Sequence, residues 1–504
     1  MSSQSKATGH AVRGLKAGIS VMCAAVLSAC VNYAGIHSDQ QIAQPQHYAT
    51  QQSVPAQGGR WPAPDWADQF GDAQLKALID EALRGSPTID QARARVASAA
   101  AYSETAKAAT LPHADASYSY TREQYSGTAL VPPPVAGTWQ SENKGVLSAS
   151  YELDLWGKNR EALRAALSQL QASEADAQVV QLTLTTAVAR TYNQLARLYV
   201  LRDIAQQEIA QREQIDRLTA GRIATGLDTE VERKTAQANL ATSRAALKAI
   251  DGSIVTTRYQ IAALLGAGPD RGLAIARPEL GVGDEVRLPD NLPADLVGRR
   301  PDIVAARWRV DALTHEVKSA KAEFYPDINL SAAIGLDAFG FGRFLTAASR
   351  TVSAGPAIHL PIFDAGELRA QLKGRYAEFD YAVATYNQTL VTALSEVATQ
   401  LADIRSTDGQ LIDAQTAQSA ARRADELALT QYKAGLTNQL TVLNADTNAL
   451  SADQAVANLL MNRRDQQIAL AAALGGGYTD ASDAAATAAT AATADAASAS
   501  IAAR

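Results

Sequence analysis

The stretch Gly145-Val146-Leu147-Ser148-Ala149-Ser150-Tyr151-Glu152-Leu153-Asp154-Leu155 runs into Trp156-Gly157 and then into Leu163, Leu167 and Leu170, and its period changes on the way. Before the Trp-Gly pair the pattern falls toward two, the period of a strand; after it, apolar residues return every three or four. Leu163, Leu167, Leu170, Ala177, Leu184, Val188, Leu195 and Leu198 form a coiled-coil seam broken only by Glu174 and Gln181. Residues 160–217 contain neither proline nor glycine, which predicts one helix of 58 residues, about 87 Å long at the α-helical rise. No compact globule needs a helix of that length.

The same order occurs twice, at an offset of 214. Pro87, Ile89, Ala92, Arg93, Arg95 and Val96 are matched by Pro301, Ile303, Ala306, Arg307, Arg309 and Val310. Ala106, Lys107, Ala108 and Pro112 are matched by Ala320, Lys321, Ala322 and Pro326, and Gly221 by Gly435. Proline and arginine matches held in one register argue for duplication of one unit. In each copy a helix stops at Leu111-Pro112 or Tyr325-Pro326, since proline cannot continue it. Strands are predicted over Ala114–Ser126 and Gly145–Leu155, separated by the loop around Val131-Pro132-Pro133-Pro134. The second pair is Asp327–Leu336 and Thr351–Ile362, around Gly340, Gly342 and Arg343. The turn Gly221–Leu227 then leads to a returning helix, Asp228–Leu265. In the second copy Leu368–Tyr432, the turn Gly435–Gln439 and Thr441–Leu474 repeat the pattern.

Four strands of about ten residues are long enough to cross a membrane at a tilt. They are too few to close a barrel, and open edges in hydrocarbon cost several kcal/mol per unpaired group, so strands placed in a membrane imply an oligomer. Two chains give eight strands and three give twelve; this arithmetic permits both. Ala165, Ala166, Ala172 and Ala175 beside the seam allow close contact between long helices. Tyr118, Tyr120, Tyr125, Trp139 and Tyr151 suit an aromatic girdle at a membrane interface.

The 504 residues carry 46 basic and 52 acidic side chains, a balance that excludes a basic nucleic-acid binder. Both cysteines, Cys23 and Cys30, lie near the start, so the body has no disulfide frame and no cysteine-ligated metal. Lys6, Arg13 and Lys16 precede a short apolar run, Ala17–Ala29, the form of an export signal. It ends in Leu27-Ser28-Ala29-Cys30, which resembles the bacterial lipobox. Cleavage before Cys30 leaves an acidic exported protein. The organisation expected is a signal over 1–29, a lipidated N-terminus and linker over 30–60, a first repeat over 61–265 and a connector over 266–293. A second repeat follows over 294–474, then a disordered Ala/Thr/Asp-rich tail over 475–504. The sequence holds no phosphate-binding G-x-x-x-x-G-K-[ST] loop and no H-E-x-x-H zinc pattern, and its six histidines are scattered. No enzyme is expected.

Several motifs, in order, carry a family resemblance. They are the lipobox, Tyr151-Glu152-Leu153-Asp154-Leu155-Trp156-Gly157, Leu288-Pro289 with Leu292-Pro293, Arg299-Arg300-Pro301-Asp302-Ile303, Lys321-Ala322-Glu323-Phe324-Tyr325-Pro326, and Gly355-Pro356 with Leu360-Pro361-Ile362-Phe363-Asp364-Ala365-Gly366. From about Trp61 to Leu474 the chain resembles the outer membrane factor family, in its NodT-like, TolC-like lipoprotein branch. The resemblance implies a mixed α/β membrane protein in which an outer-membrane β-barrel, four strands per protomer and twelve in a homotrimer, continues as a long periplasmic α-helical coiled-coil barrel.

It also implies the outer-membrane channel of a tripartite efflux system, joined to a periplasmic adaptor (membrane fusion) protein and an inner-membrane transporter of RND or MFS type. A non-conducting coiled-coil envelope lipoprotein is the alternative. No cofactor, metal or nucleic acid is implied; the one attached group is lipid, N-palmitoyl and S-diacylglycerol on Cys30, held in outer-membrane lipid. The two reversals, with Gly221, Gly226, Asp228, Gly435 and Asn438, match periplasmic tips where adaptors dock. Some relatives carry a carboxylate ring just beyond the second tip; here Thr441 and Asn444 stand there, with Asp446 nearby. Constriction is therefore expected from apolar Leu440 and Leu443, with hydrogen bonding from Asn438 and Asn444.

Overall fold

A computed structural model describes residues 32–480, apart from 56, 129–131, 282, 284–287 and 290–291. The export segment, Cys30 and residues 481–504 lie outside the described residues. The helices in chain order are α1 (Ala73–Gly85), α2 (Pro87–Ala108), α3 (Lys158–Ala224), α4 (Glu230–Leu264), α5 (Pro269–Leu273), α6 (Leu292–Arg299), α7 (Pro301–Ala322), α8 (Phe341–Phe344), α9 (Glu367–Lys433) and α10 (Gln439–Ala473). The strands are β1 (His113–Gln124), β2 (Trp139–Glu152), β3 (Asp327–Phe339) and β4 (Arg350–His359). Two compact units result, and each draws on both copies of the repeat.

The first unit takes the chain up to Ile42, Ala97–Ala172 and Ala306–Tyr386. Its strands form one antiparallel sheet in the order β1-β2-β3-β4. Strand alternation, fixed by register, splits the sheet into two unlike faces. Ala114, Ala116, Tyr118 and Tyr120 share a face with Leu147, Ala149, Tyr151, Leu330, Ala332, Ile334, Leu336, Val352, Pro356 and Ile358. Every Asp and Glu of the four strands lies on the opposite face, beside Ser117, Ser119, Lys144, Ser148, Ser150, Ser331 and Ser353. An apolar outer face and a polar lumen face is the pattern of a membrane barrel wall. Val146 therefore belongs to the polar face, not with Tyr151. Strand β2 begins at Trp139 rather than Gly145, because residues 139–144 pair with 119–124 through side chains that are mostly polar on both faces. Strand β4 stops at His359, two residues before Pro361, which has no N–H to give a ladder.

Small residues, not leucines, make the buried stripe where α3 begins. Ala165, Ser168 and Ala172 are buried, and the Ser168 hydroxyl donates to Asp311 Oδ2 on α7 at 2.6 Å. The seam expected here is displaced, since Leu167 is 45% exposed and Leu163 and Leu170 are half-buried. A close approach between helices excludes the larger side chains and turns them outward.

The second unit comprises Ala43–Val96, Ser173–Ala305 and the chain from Asn387. Here the seam holds: Leu184, Val188, Leu195 and Leu198 are buried with Phe70, Leu75, Leu78, Tyr192, Ile261 and Ile468. Asp72 fixes one side of this core. It caps α1 through the Gln74 N–H at 2.8 Å and accepts from the Tyr192 hydroxyl and the Glu279 N–H at 2.8 Å each. Arg300, from the quoted Arg-Arg-Pro-Asp motif, is buried beside Asp302 and Glu396 and donates to the Ala473 carbonyl at 3.0 Å, joining three helices. Residues 475–480, placed with the tail from sequence, have defined positions. Gly475 lies so close to the Arg299 carbonyl that no side chain fits.

The repeat is closer in structure than in sequence, with one shift of register. Helices α2 and α7 both have 22 residues and keep the offset of 214. Helices α3 and α9 both have 67 and α4 and α10 both have 35, but at an offset of 209. The two hairpins differ by five residues, so positions beyond them cannot be matched at 214.

The assignment of faces has a direct check. Ile334→Arg, in the middle of the apolar face, is expected to lower folding stability in bilayers by about 3 kcal/mol, while Ala333→Arg on the polar face changes it by less than about 1 kcal/mol. Urea titration in liposomes measures both, and equal losses would reassign the faces.

Candidate functional site

Two helix reversals in the second unit are built alike. Helix α3 ends at Gly226, φ 75°, where the Leu227 N–H donates to the Arg222 carbonyl at 2.9 Å. Helix α9 ends at Gly435, φ 76°, where the Leu436 N–H donates to the Gln431 carbonyl at 2.9 Å. Both are glycine C-caps in the left-handed region, which satisfy the last carbonyls and turn the chain. Three residues after each glycine a side chain caps the returning helix. Thr229 and Glu232 form a capping box on α4, and Asn438 Oδ1 accepts from the Thr441 N–H at 3.1 Å on α10. Gly221, matched to Gly435 at the offset of 214, is instead inside α3, and its partner glycine is Gly226.

A network locks the two reversals together. Arg222 grips Asp228 with two nitrogens, at 2.8 and 3.2 Å, and its guanidinium lies 4.4 Å over the Tyr432 ring. The Tyr432 hydroxyl donates to Asp228 Oδ2 at 2.7 Å, and the third Arg222 nitrogen, Nη1, donates to the Tyr432 carbonyl at 3.1 Å. Thr219 contacts the Tyr432 hydroxyl at 3.1 Å and accepts from Gln439 at 3.1 Å. Bidentate geometry and a guanidinium over a ring are what arginine supplies and lysine does not. Arg222 holds the Asp228 carboxyl below the ordinary carboxylate range, while burial pushes the Tyr432 hydroxyl up. Ile215, Ala428, Tyr432 and Val442 make the apolar layer next to this lock.

The next layer along α10 is acidic. Asp446 is buried, 3.5 Å from Arg212, which lies 2.7 Å from Glu208; Asp425 accepts from Gln211 at 2.7 Å. Asp446 Oδ2 and Asp425 Oδ1 have no hydrogen-bond donor among the described residues. Burial raises both carboxyls, Asp446 to about 6. Arg212 thus faces two carboxylates, Glu208 and Asp446, and Asp425 adds a third acidic group near Asp446.

The structure brings Asp228 and Asn438 to the tips and separates the expected constriction residues. Leu440 is 64% exposed and shares an outward stripe with Asn444, one turn on. Leu443, three residues on, is half-buried and packs against the Ile215, Tyr432 and Val442 layer. Arg222, Tyr432, Thr219 and Gln439 were not selected from sequence. The one local signal that could have found the pair is the spacing of Arg222 and Asp228, six residues across a glycine turn; Tyr432 joins them through the fold alone.

The family model described as "Outer membrane efflux protein" matches residues 78–267 and 292–476. The multidrug resistance outer membrane protein MdtP of Shigella flexneri is 31% identical over 437 residues, 84% of this chain and 88% of that protein. The fusaric acid resistance protein FusA of Burkholderia cepacia is 40% identical over 317 residues, 62% of this chain; the match spans 59% of FusA. The crystal structure of VceC, an outer membrane protein of Vibrio cholerae, superimposes with a TM-score of 0.78 at 35% identity, covering 83% of this chain and 100% of VceC.

Two measurements test the tip. Asp228→Ala removes one partner of a buried pair and should cost about 3 kcal/mol of local stability, seen as a fall in hydrogen-exchange protection confined to the two reversals. Asp446 acts with pH. Its folded value exceeds the unfolded one, so its contribution is complete below about pH 4 and is lost as pH rises through about 6, a span of about 3 kcal/mol. Asp228 works oppositely, stabilising above the ordinary carboxylate range and losing that effect as pH falls through its lowered value. Tip protection should therefore rise from pH 7.5 to pH 5 after correction for intrinsic exchange, and Asp446→Asn should flatten that rise. An unchanged slope in the variant would remove Asp446 as its source.

Proposed function

The chain belongs to the outer membrane efflux protein family, and on that premise we propose how it forms and closes its channel. The observation that carries the reading is the pair of open edges: β1 and β4 each pair on one side only, in a sheet with an apolar face and a polar face. Such edges in a bilayer require partners of the same kind, because unpaired backbone groups there cost several kcal/mol each. A second copy closes eight strands and a third closes twelve; the family resemblance selects the homotrimer. The polar faces then line a water-filled passage. The spacer alternative gives those edges no partner.

The tips are the gate. The lock of Arg222, Asp228 and Tyr432 holds two helix pairs of one protomer together, and the outward stripe of Leu440 and Asn444 narrows the passage. Exposed Leu227, Val231 and Leu436 offer an apolar surface for a periplasmic adaptor, behind which an inner-membrane pump of RND or MFS type supplies the energy. The names of the relatives, resistance to fusaric acid and to multiple drugs, support small organic compounds as cargo. We further propose that Cys30 is acylated, with N-palmitoyl and S-diacylglycerol groups. Two residues on, the Asn32 carbonyl accepts from Arg369, and Tyr33 packs edge-on against Phe324 at 5.4 Å, two residues before Pro326 at the helix side of the sheet. These contacts, just after Cys30, support an anchor beside the inner leaflet. Palmitate labelling of the wild type but not of Cys30→Ser tests it.

Single-channel recording in planar bilayers tests the gate. Leu440→Ser should increase conductance or open probability severalfold, whereas Leu443→Ser should loosen tip packing by about 2 kcal/mol through its own hairpin. No conductance in any variant or in wild type would favour the spacer.

A further inference from the structure

The outer end of the sheet, away from the helices, carries a second feature that conduction does not use. Arg122 lies two residues from the end of β1 and Arg350 opens β4; register places both on the apolar face, with Tyr118, Leu336 and Val352. That face has no strand carboxylate. The loop from β3 to β4 adds a third cation, Arg343, on the short helix α8. Arg122, Arg343 and Arg350 are all exposed, and none has an ion-pair partner among the described residues.

The loop is built onto this face. Phe344 is buried against the Tyr118 ring at 5.8 Å and over Gly145, where an added Cβ would come within 3.1 Å of its ring. The Gly340 N–H donates to the Ser141 carbonyl at 2.7 Å, which pins the entry. The Ser349 hydroxyl donates to the Arg343 carbonyl at 2.7 Å, which holds the backbone of Arg343 beside Arg350. Flanking Arg343, Phe341 is 67% exposed and Leu345 74% exposed. Cations between exposed apolar side chains, above a lipid-facing wall, have the composition of an interfacial site.

We propose that Arg343 and Arg350, with Arg122 on the same face, bind the phosphate groups of an outer-leaflet glycolipid of the lipid A type, while Phe341 and Leu345 enter its acyl region. The site rests on the outer-membrane placement of the sheet and not on the gate. Charge segregation favours this ligand: each strand carboxylate faces the lumen, so the outer face presents positive charge alone at the level where a phosphorylated headgroup sits. Arginine forks suit phosphate oxygens bidentately, which fixes orientation as well as charge.

The test uses the full-length protein in neutral detergent, titrated with bisphosphorylated lipid A, with its monophosphorylated form and with inorganic phosphate. Native mass spectrometry reads bound lipid and bilayer recording reads the pore. Wild type should retain bisphosphorylated lipid A about tenfold more tightly than Arg343→Gln/Arg350→Gln, with Arg343→Lys/Arg350→Lys in between and conductance alike in all. Equal retention by the double Gln variant would overturn the proposal, as would inorganic phosphate displacing the lipid at equal concentration. If the double variant does not assemble, Arg343→Gln alone decides, since that side chain has no contact to lose: unchanged retention overturns the site, and weaker retention with a normal pore supports it.

Discussion

The structure depends on the hydrogen-bonding needs of strand edges. A four-stranded sheet with one apolar face satisfies its side chains in a membrane but leaves β1 and β4 with a row of unpaired N–H and C=O groups. Water cannot reach them there. Only more strands from other copies can, and that need makes the protomer a fragment of a wall. The segregation of charge follows from the same wall, since the cost of exposing a carboxylate to lipid rather than to the lumen is avoided by placing each one on the polar face.

A second constraint acts at the two helix reversals, where the chain must turn twice. The glycine caps make the turns, and the charged lock holds them. Hydrogen bonds to ions are strongest where water is excluded, and the lock of Arg222, Asp228 and Tyr432 is packed against the apolar layer of Ile215, Ala428 and Val442. The acidic layer at Asp446 sets the balance differently. It holds a buried carboxyl whose charged form burial disfavours, while Arg222 favours the charged form of Asp228. Their opposite responses to pH make the packing of the tip a tunable quantity.

Much of this was legible in the residues. Proline at 112 and 326 marked where helix gives way to strand, and the proline-free and glycine-free run after Lys158 marked a very long helix. Asp228 and Asn438 were singled out because the two glycine turns resemble the family's periplasmic tips; the caps of the returning helices are Thr229 and Asn438. The register beyond the hairpins was not legible, since five extra residues in the first copy make Gly221 look like the partner of Gly435 when Gly226 is. Leu163, Leu167 and Leu170 read as a buried seam because leucine spacing reports periodicity, not which stripe a neighbour approaches; Ala165, Ser168 and Ala172 won through their size. Leu440 and Leu443 read alike for the same reason; three residues apart they lie only about 60° apart on α10, and what separates them is that the Ile215, Tyr432 and Val442 layer covers Leu443 and not Leu440.

The sequence by itself determined the element order, the duplication, the two tips and the incompleteness of one chain, because each follows from local backbone rules or from counting strands. Tertiary structure alone decided which face of the sheet each residue takes, which leucine is free at the tip, and that Tyr432 closes on Arg222 and Asp228. Those are contacts between segments about two hundred residues apart, and no local pattern encodes the side chain that will stand opposite.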